Sequence, residues 1–151
     1  MGAFADASSA SQGISRQAQD EYAAESYRRA KSAFNSGGFR AEIVPVPLSS
    51  TRGSGNLVME EDEGYGSVQL EKISKLRPAF TSDGTATAAN SSTMNDGASA
   101  LVLVSGHFLN RVPSSRPLAQ IIDFADAALA PDQFTVAPVH AVKRLAAQQR
   151  M

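Results

Sequence analysis

Residues 87–98, TAANSSTMNDGA, concentrate the groups in this chain best suited to holding a ligand. Small side chains over such a length leave backbone C=O and N–H groups uncovered, so something else must approach closely. Asn95-Asp96-Gly97 is turn chemistry, because Asn and Asp bond their own backbone and Gly tolerates positive φ. A hydrophobic run, ALVLV at 100–104, follows at once. The same residues also make an ordinary tight loop feeding a buried strand, and composition leaves both readings open.

Outside that stretch, few side chains have the spacing for chemistry. The chain holds no cysteine, so it offers no disulfide, thiolate metal site or thiol nucleophile. Gly53 and Gly55 do not form a phosphate loop, since no Lys-Ser/Thr follows and no helix opens there. The acidic run 60–63 reads as a solvated face rather than a metal site. Lys72 is a flexible cation suited to a phosphate, or equally a solvated helix lysine. Tyr27 falls inside an apolar helical stripe, where its hydroxyl needs a partner if buried. A backbone carbonyl would serve.

The spacing predicts a helix from an N-cap at Ser15 to a stop at Gly37-Gly38, with Ala23, Tyr27, Ala30 and Phe34 on one face. Ala18 stands where a capping-box acid would be. Residues 1–13 are small and polar and read as a loop or frayed start. EIVPVPL at 42–48 is an edge strand at best, because Pro45 and Pro47 cannot donate to a ladder. A turn cluster with Arg52 occupies 49–56, and 57–59 can return as a second strand. Val68, Leu70, Ile73 and Leu76 have loose helical spacing. Strands are expected at 98–105 and 117–125, with a connector at 106–115. Pro138 suits the first turn of a final helix reaching Arg150, its apolar side formed by Val139, Val142, Leu145 and Ala146.

At 151 residues and 42% hydrophobic, one globular domain could bury a real core. The net charge of −1 gives no basis for nucleic acid as a partner, which needs clustered Lys and Arg. No apolar run approaches a bilayer-spanning helix, which argues against a membrane partner, and the N-terminus lacks a signal-peptide pattern.

TAANSSTMNDGASALVLVS at 87–105 resembles the N-(A/S)-S-x-x-N-D-G-A segment of the thiolase family, in particular its acetyl-CoA acetyltransferases. The likeness runs back through RPAF (77–80), EDEGY (61–65), GGFRAEIVPV (37–46) and ISRQAQDEYAAESYRRAK (14–31). It runs forward through PLAQIIDFADAALAPDQFTVAP (117–138) and covers nearly the whole chain. The opening residues match M-G-x-x-A-E-N, with Asp6 and Ala7 where Glu and Asn are usual. The resemblance implies an internal segment of a longer enzyme.

It further implies an α/β chain of the layered α/β/α/β/α type. Residues 1–84 would be the later part of a coenzyme-binding loop domain, 85–110 the last core strand region of the N-terminal half, and 111–151 the start of the C-terminal half. The family joins two acetyl-CoA molecules by Claisen condensation, or cleaves acetoacetyl-CoA by thiolysis. A histidine-activated cysteine carries the acyl group, and two oxyanion holes stabilise the enolate and the tetrahedral adduct. The resemblance puts every catalytic group outside this chain, and His107 and His140 match none of them. Ser67, Val68, Gln69 and Lys72 align with contacts to the adenine and ribose-phosphate end of coenzyme A, although Ser67 and Gln69 replace the Arg and Asp of close relatives. Ala79 and Phe80 align with walls of the pantetheine tunnel, and Ser92 with a serine bonding a pantetheine amide. Tyr27, Ala88, Ala89 and Ser91 align with the potassium site of ion-activated members, where Tyr27 also lies beside the coenzyme. Acyl-CoA substrates, a homotetramer built as a dimer of dimers, and a place in lipid and ketone-body metabolism follow from the same resemblance. It favours the mitochondrial matrix, with the cytosol as the alternative. Two other readings stand beside it: a non-catalytic CoA-binding or structural module, and an unrelated α/β domain.

Overall fold

A computed structural model describes residues 1–48 and 57–149. The expected turn cluster at 49–56 and the expected helix end at Arg150 lie outside the described residues. The chain divides into two units, Met1–Ser92 and Thr93–Met151.

The first unit opens with a helix, α1 (Gly2–Ser11), where a loop or frayed start is expected from composition. Four alanines in ten residues supply helix propensity. Two tertiary anchors complete it. Asp6 is buried, and Gly2 packs so tightly on the Phe80 ring that a Cβ there would fall within it.

Helix α2 (Arg16–Asn35) forms as the spacing predicts. The Ser15 hydroxyl accepts from Ala18 N–H at 3.1 Å, satisfying one of the free donors of the first turn. Gly37 adopts a φ of +77°, and the Gly38 N–H returns to the Ala33 carbonyl at 2.9 Å. A left-handed residue just past the helix is what allows that closure. Strand β1 (Val46–Leu48) pairs antiparallel with β2 (Leu57–Met59), with Pro47 opposite Val58, so the edge strand and its return are both present.

The loose helical spacing at 67–76 resolves into a short α3 (Gly64–Ser67) and a 3₁₀ turn, Leu70–Lys75. Ile73 is the residue of that turn that reaches the core, at 3% exposure. Ala86 and Ala89 are the other buried apolar residues among those described, and Thr87 is fully buried. The interior is therefore small and largely polar.

In the second unit, α4 (Gly106–Arg111) interrupts the expected connector, its N-terminus capped by Ser105 Oγ accepting from Phe108 N–H at 3.1 Å. A 3₁₀ turn, Pro131–Val136, leads into α5 (Ala137–Gln148), which carries Pro138 in its first turn as expected. Arg144 donates to the Asp126 carbonyl at 2.7 Å, and Gln149 to Asp123 at 2.6 Å. No described residue of this unit is buried.

The strands expected at 98–105 and 117–125 are not present among the described residues. A strand exists only where a neighbouring chain fills its ladder. The two stretches have strand composition without a strand beside them, and Leu101 and Val102 stand 87% and 90% exposed.

Candidate functional site

The segment 85–91 is held from two helices at once. From α1, Asp6 Oδ1 accepts from the N–H groups of Thr85 and Ala86, both at 2.8 Å, while Oδ2 accepts from the Thr81 hydroxyl at 3.0 Å. Ala79 N–H donates to Ala86 O at 2.8 Å, fixing the other side of the same turn. From α2, Gln19 exchanges hydrogen bonds with the Thr85 hydroxyl, and Asp20 Oδ1 accepts from Asn90 Nδ2 at 2.9 Å.

Asn90 closes the turn on itself. Its Nδ2 also donates to Thr85 O at 3.0 Å, and its Oδ1 accepts from Thr87 N–H at 2.7 Å. The buried Thr87 hydroxyl accepts from the N–H groups of Ala89 and Asn90 at 3.3 Å each. Every buried polar side-chain atom among the described residues has a partner, as a polar interior requires. Two turns further along α2 from Asp20, the Tyr27 hydroxyl donates to the Ala89 carbonyl at 2.9 Å.

Asp6 is a buried carboxylate to which no cation among the described residues is hydrogen-bonded. Burial acts to raise its pKa, but the N–H groups of Ala86 and Thr85 and the hydroxyls of Thr81 and Thr85 outweigh it and hold the carboxyl below 3.8. At Tyr65, desolvation and the hydrogen bond to Glu61 push the phenol up to about 12. Its ring lies 6.0 Å from that of Phe34, a packing role rather than an acid–base one.

The structure brings together Tyr27 and Ala89 of the expected ion-binding residues, while Ala88 is exposed and Ser91 half-buried beside them. The expected coenzyme contacts Ser67, Gln69, Lys72, Ala79 and Ser92 are exposed, and Val68 is half-buried. Ser67 donates to Gly64 O at 3.1 Å, and Phe80 covers Gly2 while remaining 54% exposed. Among the described residues no three of His, Cys, Asp and Glu gather into a metal site.

Sequence reasoning missed Asp6, Arg16 and Asp20 as members of the site. A signal existed for two of them. Arg16 and Asp20 extend the stripe of Ala23, Tyr27, Ala30 and Phe34 backwards at helical spacing, placing an ion pair where an apolar face should continue. For Asp6 no local pattern marks the role, because its partners lie some eighty positions away.

A fold with this polar turn clamped between two helices has close counterparts. Residues 1–107 match the family model for the thiolase N-terminal domain. The chain is 44% identical over 146 residues to the mitochondrial acetyl-CoA acetyltransferase of Mus musculus, covering 96% of this chain and 34% of that protein. It is 49% identical over 145 residues to a mitochondrial acetyl-CoA acetyltransferase of Gibberella zeae, covering 94% and 33%. Among solved structures, a thiolase from Ascaris suum in complex with coenzyme A superposes with a TM-score of 0.87 at 41% identity, covering 99% of this chain and 37% of that one. The chain belongs to the thiolase family. It spans about a third of the length of the curated relatives it matches.

Proposed function

We propose that this chain is the coenzyme- and ion-binding part of an acetyl-CoA acetyltransferase, the reaction being thiolysis of acetoacetyl-CoA or its reverse. Identity of 44–49% to enzymes of that name over nearly all of the chain supports the activity. The coenzyme-bound state of the Ascaris suum thiolase supports coenzyme A as the ligand. With no cysteine, the chain itself supplies no acyl-carrying thiol, and its task is binding and positioning.

On this reading Ser67, Val68, Gln69 and Lys72 meet the nucleotide end, Ala79 and Phe80 flank the pantetheine arm, and Ser92 bonds one of its amides. Residues 1–84 then belong to the coenzyme-binding loop domain of a layered α/β/α/β/α fold, 85–110 to the last core strand region, and 111–151 to the second half. A homotetramer in the mitochondrial matrix accompanies this reading; the Mus musculus and Gibberella zeae relatives are named mitochondrial.

The observation that carries the ion site is the Tyr27–Ala89 hydrogen bond. It sets the Tyr27 phenol of α2 2.9 Å from the Ala89 carbonyl of the small-residue turn, two neutral oxygens, with Ala88 adjoining Ala89 and Ser91 two residues on. Neutral oxygens fit a potassium ion, whereas a small divalent cation calls for carboxylates. The nearby Asp20 is already committed to Arg16 and Asn90. Tyr27, Ala88, Ala89 and Ser91 would hold the ion, which would add fixed positive charge and brace the turn against the coenzyme.

The test is thiolysis by the full-length protein, followed through loss of the acetoacetyl-CoA enolate absorbance, in potassium and in sodium at constant ionic strength. Potassium should lower the KM for acetoacetyl-CoA, and Tyr27→Phe should erase that advantage. Identical kinetics in both salts would remove the ion site, and absence of thiolysis would remove the activity.

A further inference from the structure

Helix α2 carries a buried carboxylate whose two oxygens are committed in different directions. Asp20 Oδ2 accepts from Arg16 Nε at 2.7 Å. The same guanidinium, through Nη2, donates to the carbonyls of Ile73 at 3.0 Å and Leu76 at 2.9 Å. Those carbonyls lie in and just beyond the 3₁₀ turn that bears Lys72. Asp20 Oδ1 takes the Asn90 amide, which in turn fixes Thr85 O and Thr87 N–H. Asn90 adjoins Ala89, whose carbonyl receives the Tyr27 hydroxyl.

We infer that Asp20 is a positioning residue that couples the nucleotide-binding segment 67–76 to the ion-binding turn 87–91. The inference rests on the coenzyme and ion reading above. One carboxylate is the shared acceptor of two arms, and each arm ends on backbone rather than on a mobile side chain. Charge-assisted bonds to a buried, planar partner hold direction as well as distance. A shift of the turn at Ala89 therefore reaches the Ile73 and Leu76 carbonyls, on the C-terminal side of Lys72, through three side chains, Asn90, Asp20 and Arg16. The pairs of Glu25 with Arg28 and Arg29 on the same helix are more exposed and, among the described residues, join no second element.

The probe is adenosine 3′,5′-bisphosphate, which carries the nucleotide end of the coenzyme and lacks the arm needed to reach Ser92. Its dissociation constant is measured calorimetrically on the full-length protein in potassium and in sodium. In the wild type, potassium should tighten binding by about fivefold or more, the usual lower size of coupling between sites. Asp20→Asn should bring that ratio to one, and Glu25→Gln should leave it unchanged. Asn90→Ala, which removes the arm to the turn together with the bonds to Thr85 and Thr87, should also bring the ratio to one, so a poorly folding Asp20 variant does not shield the inference. A wild-type ratio of one, or an undiminished ratio in folded Asp20→Asn or Asn90→Ala, overturns it while the coenzyme reading stands. No nucleotide binding by the wild type in either salt overturns the coenzyme reading itself.

Discussion

The two units of this chain solve the burial problem in opposite ways. Met1–Ser92 closes on itself around Ile73, Ala86, Ala89 and Thr87, with Asp6 and Asp20 buried beside them. Thr93–Met151 buries none of its described residues, although it holds the most apolar stretches of the sequence. The difference lies in where hydrogen-bond partners come from. In the first unit, helices satisfy their own backbone and lend side chains to a loop. In the second, ALVLV and its neighbours have the composition of strands buried on both faces, and no ladder reaches them among the described residues. Apolar content alone does not make a core; the backbone must be satisfied as well.

The comparison breaks most visibly at the aspartates. Asp6→Ala should cost about 3 kcal/mol in denaturant unfolding, since it strands two buried N–H groups and a hydroxyl. Asp123→Ala in the second unit loses exposed contacts to Gln149 and to the Phe124 N–H and should change stability by less than about 0.5 kcal/mol. Equal effects would mean that the second unit is as firmly held as the first.

Glycines sharpen the same contrast. A Cβ at Gly84 would run into the Asp6 carboxylate and the Thr81 hydroxyl, so Gly84→Ala should destabilise by roughly 1–3 kcal/mol. At Gly106 a Cβ meets open space in the first turn of α4. Gly106→Ala should be neutral or stabilising by up to about 1 kcal/mol, by restricting the unfolded chain. Thermal melts of both variants check the pair, and a neutral Gly84→Ala would show that the Asp6 turn yields.

The smallest effect is the response to acid. The folded pKa of Asp6 lies below its unfolded value of 3.8, so its contribution is fully present above that pH and is lost as pH falls through the lower, folded value. Melting temperature of the wild type should fall more steeply below pH 3.8 than that of Asp6→Asn. Parallel acid limbs for the two proteins would show that Asp6 is not held as an anion.

By itself, the sequence determined the elements whose signals are local. The α2 boundaries were legible because Ser15 and Gly37 act on the residues adjoining them, and the β1–β2 pair because prolines and turn residues confine it. Resemblance along the motifs carried the family. The 85–91 turn was visible as a polar, small-residue loop, but its anchoring was not. Only tertiary structure decided that Asp6 reaches Thr85 and Ala86, that Asp20 joins Arg16 to Asn90, and that Gly2–Ser11 is helical. Those outcomes depend on donors some seventy to eighty positions away, whose nearness no local pattern encodes. For the same reason strand composition at 98–105 and 117–125 did not yield strands: a helix carries its hydrogen-bond partners within its own segment, and a strand must borrow them from another.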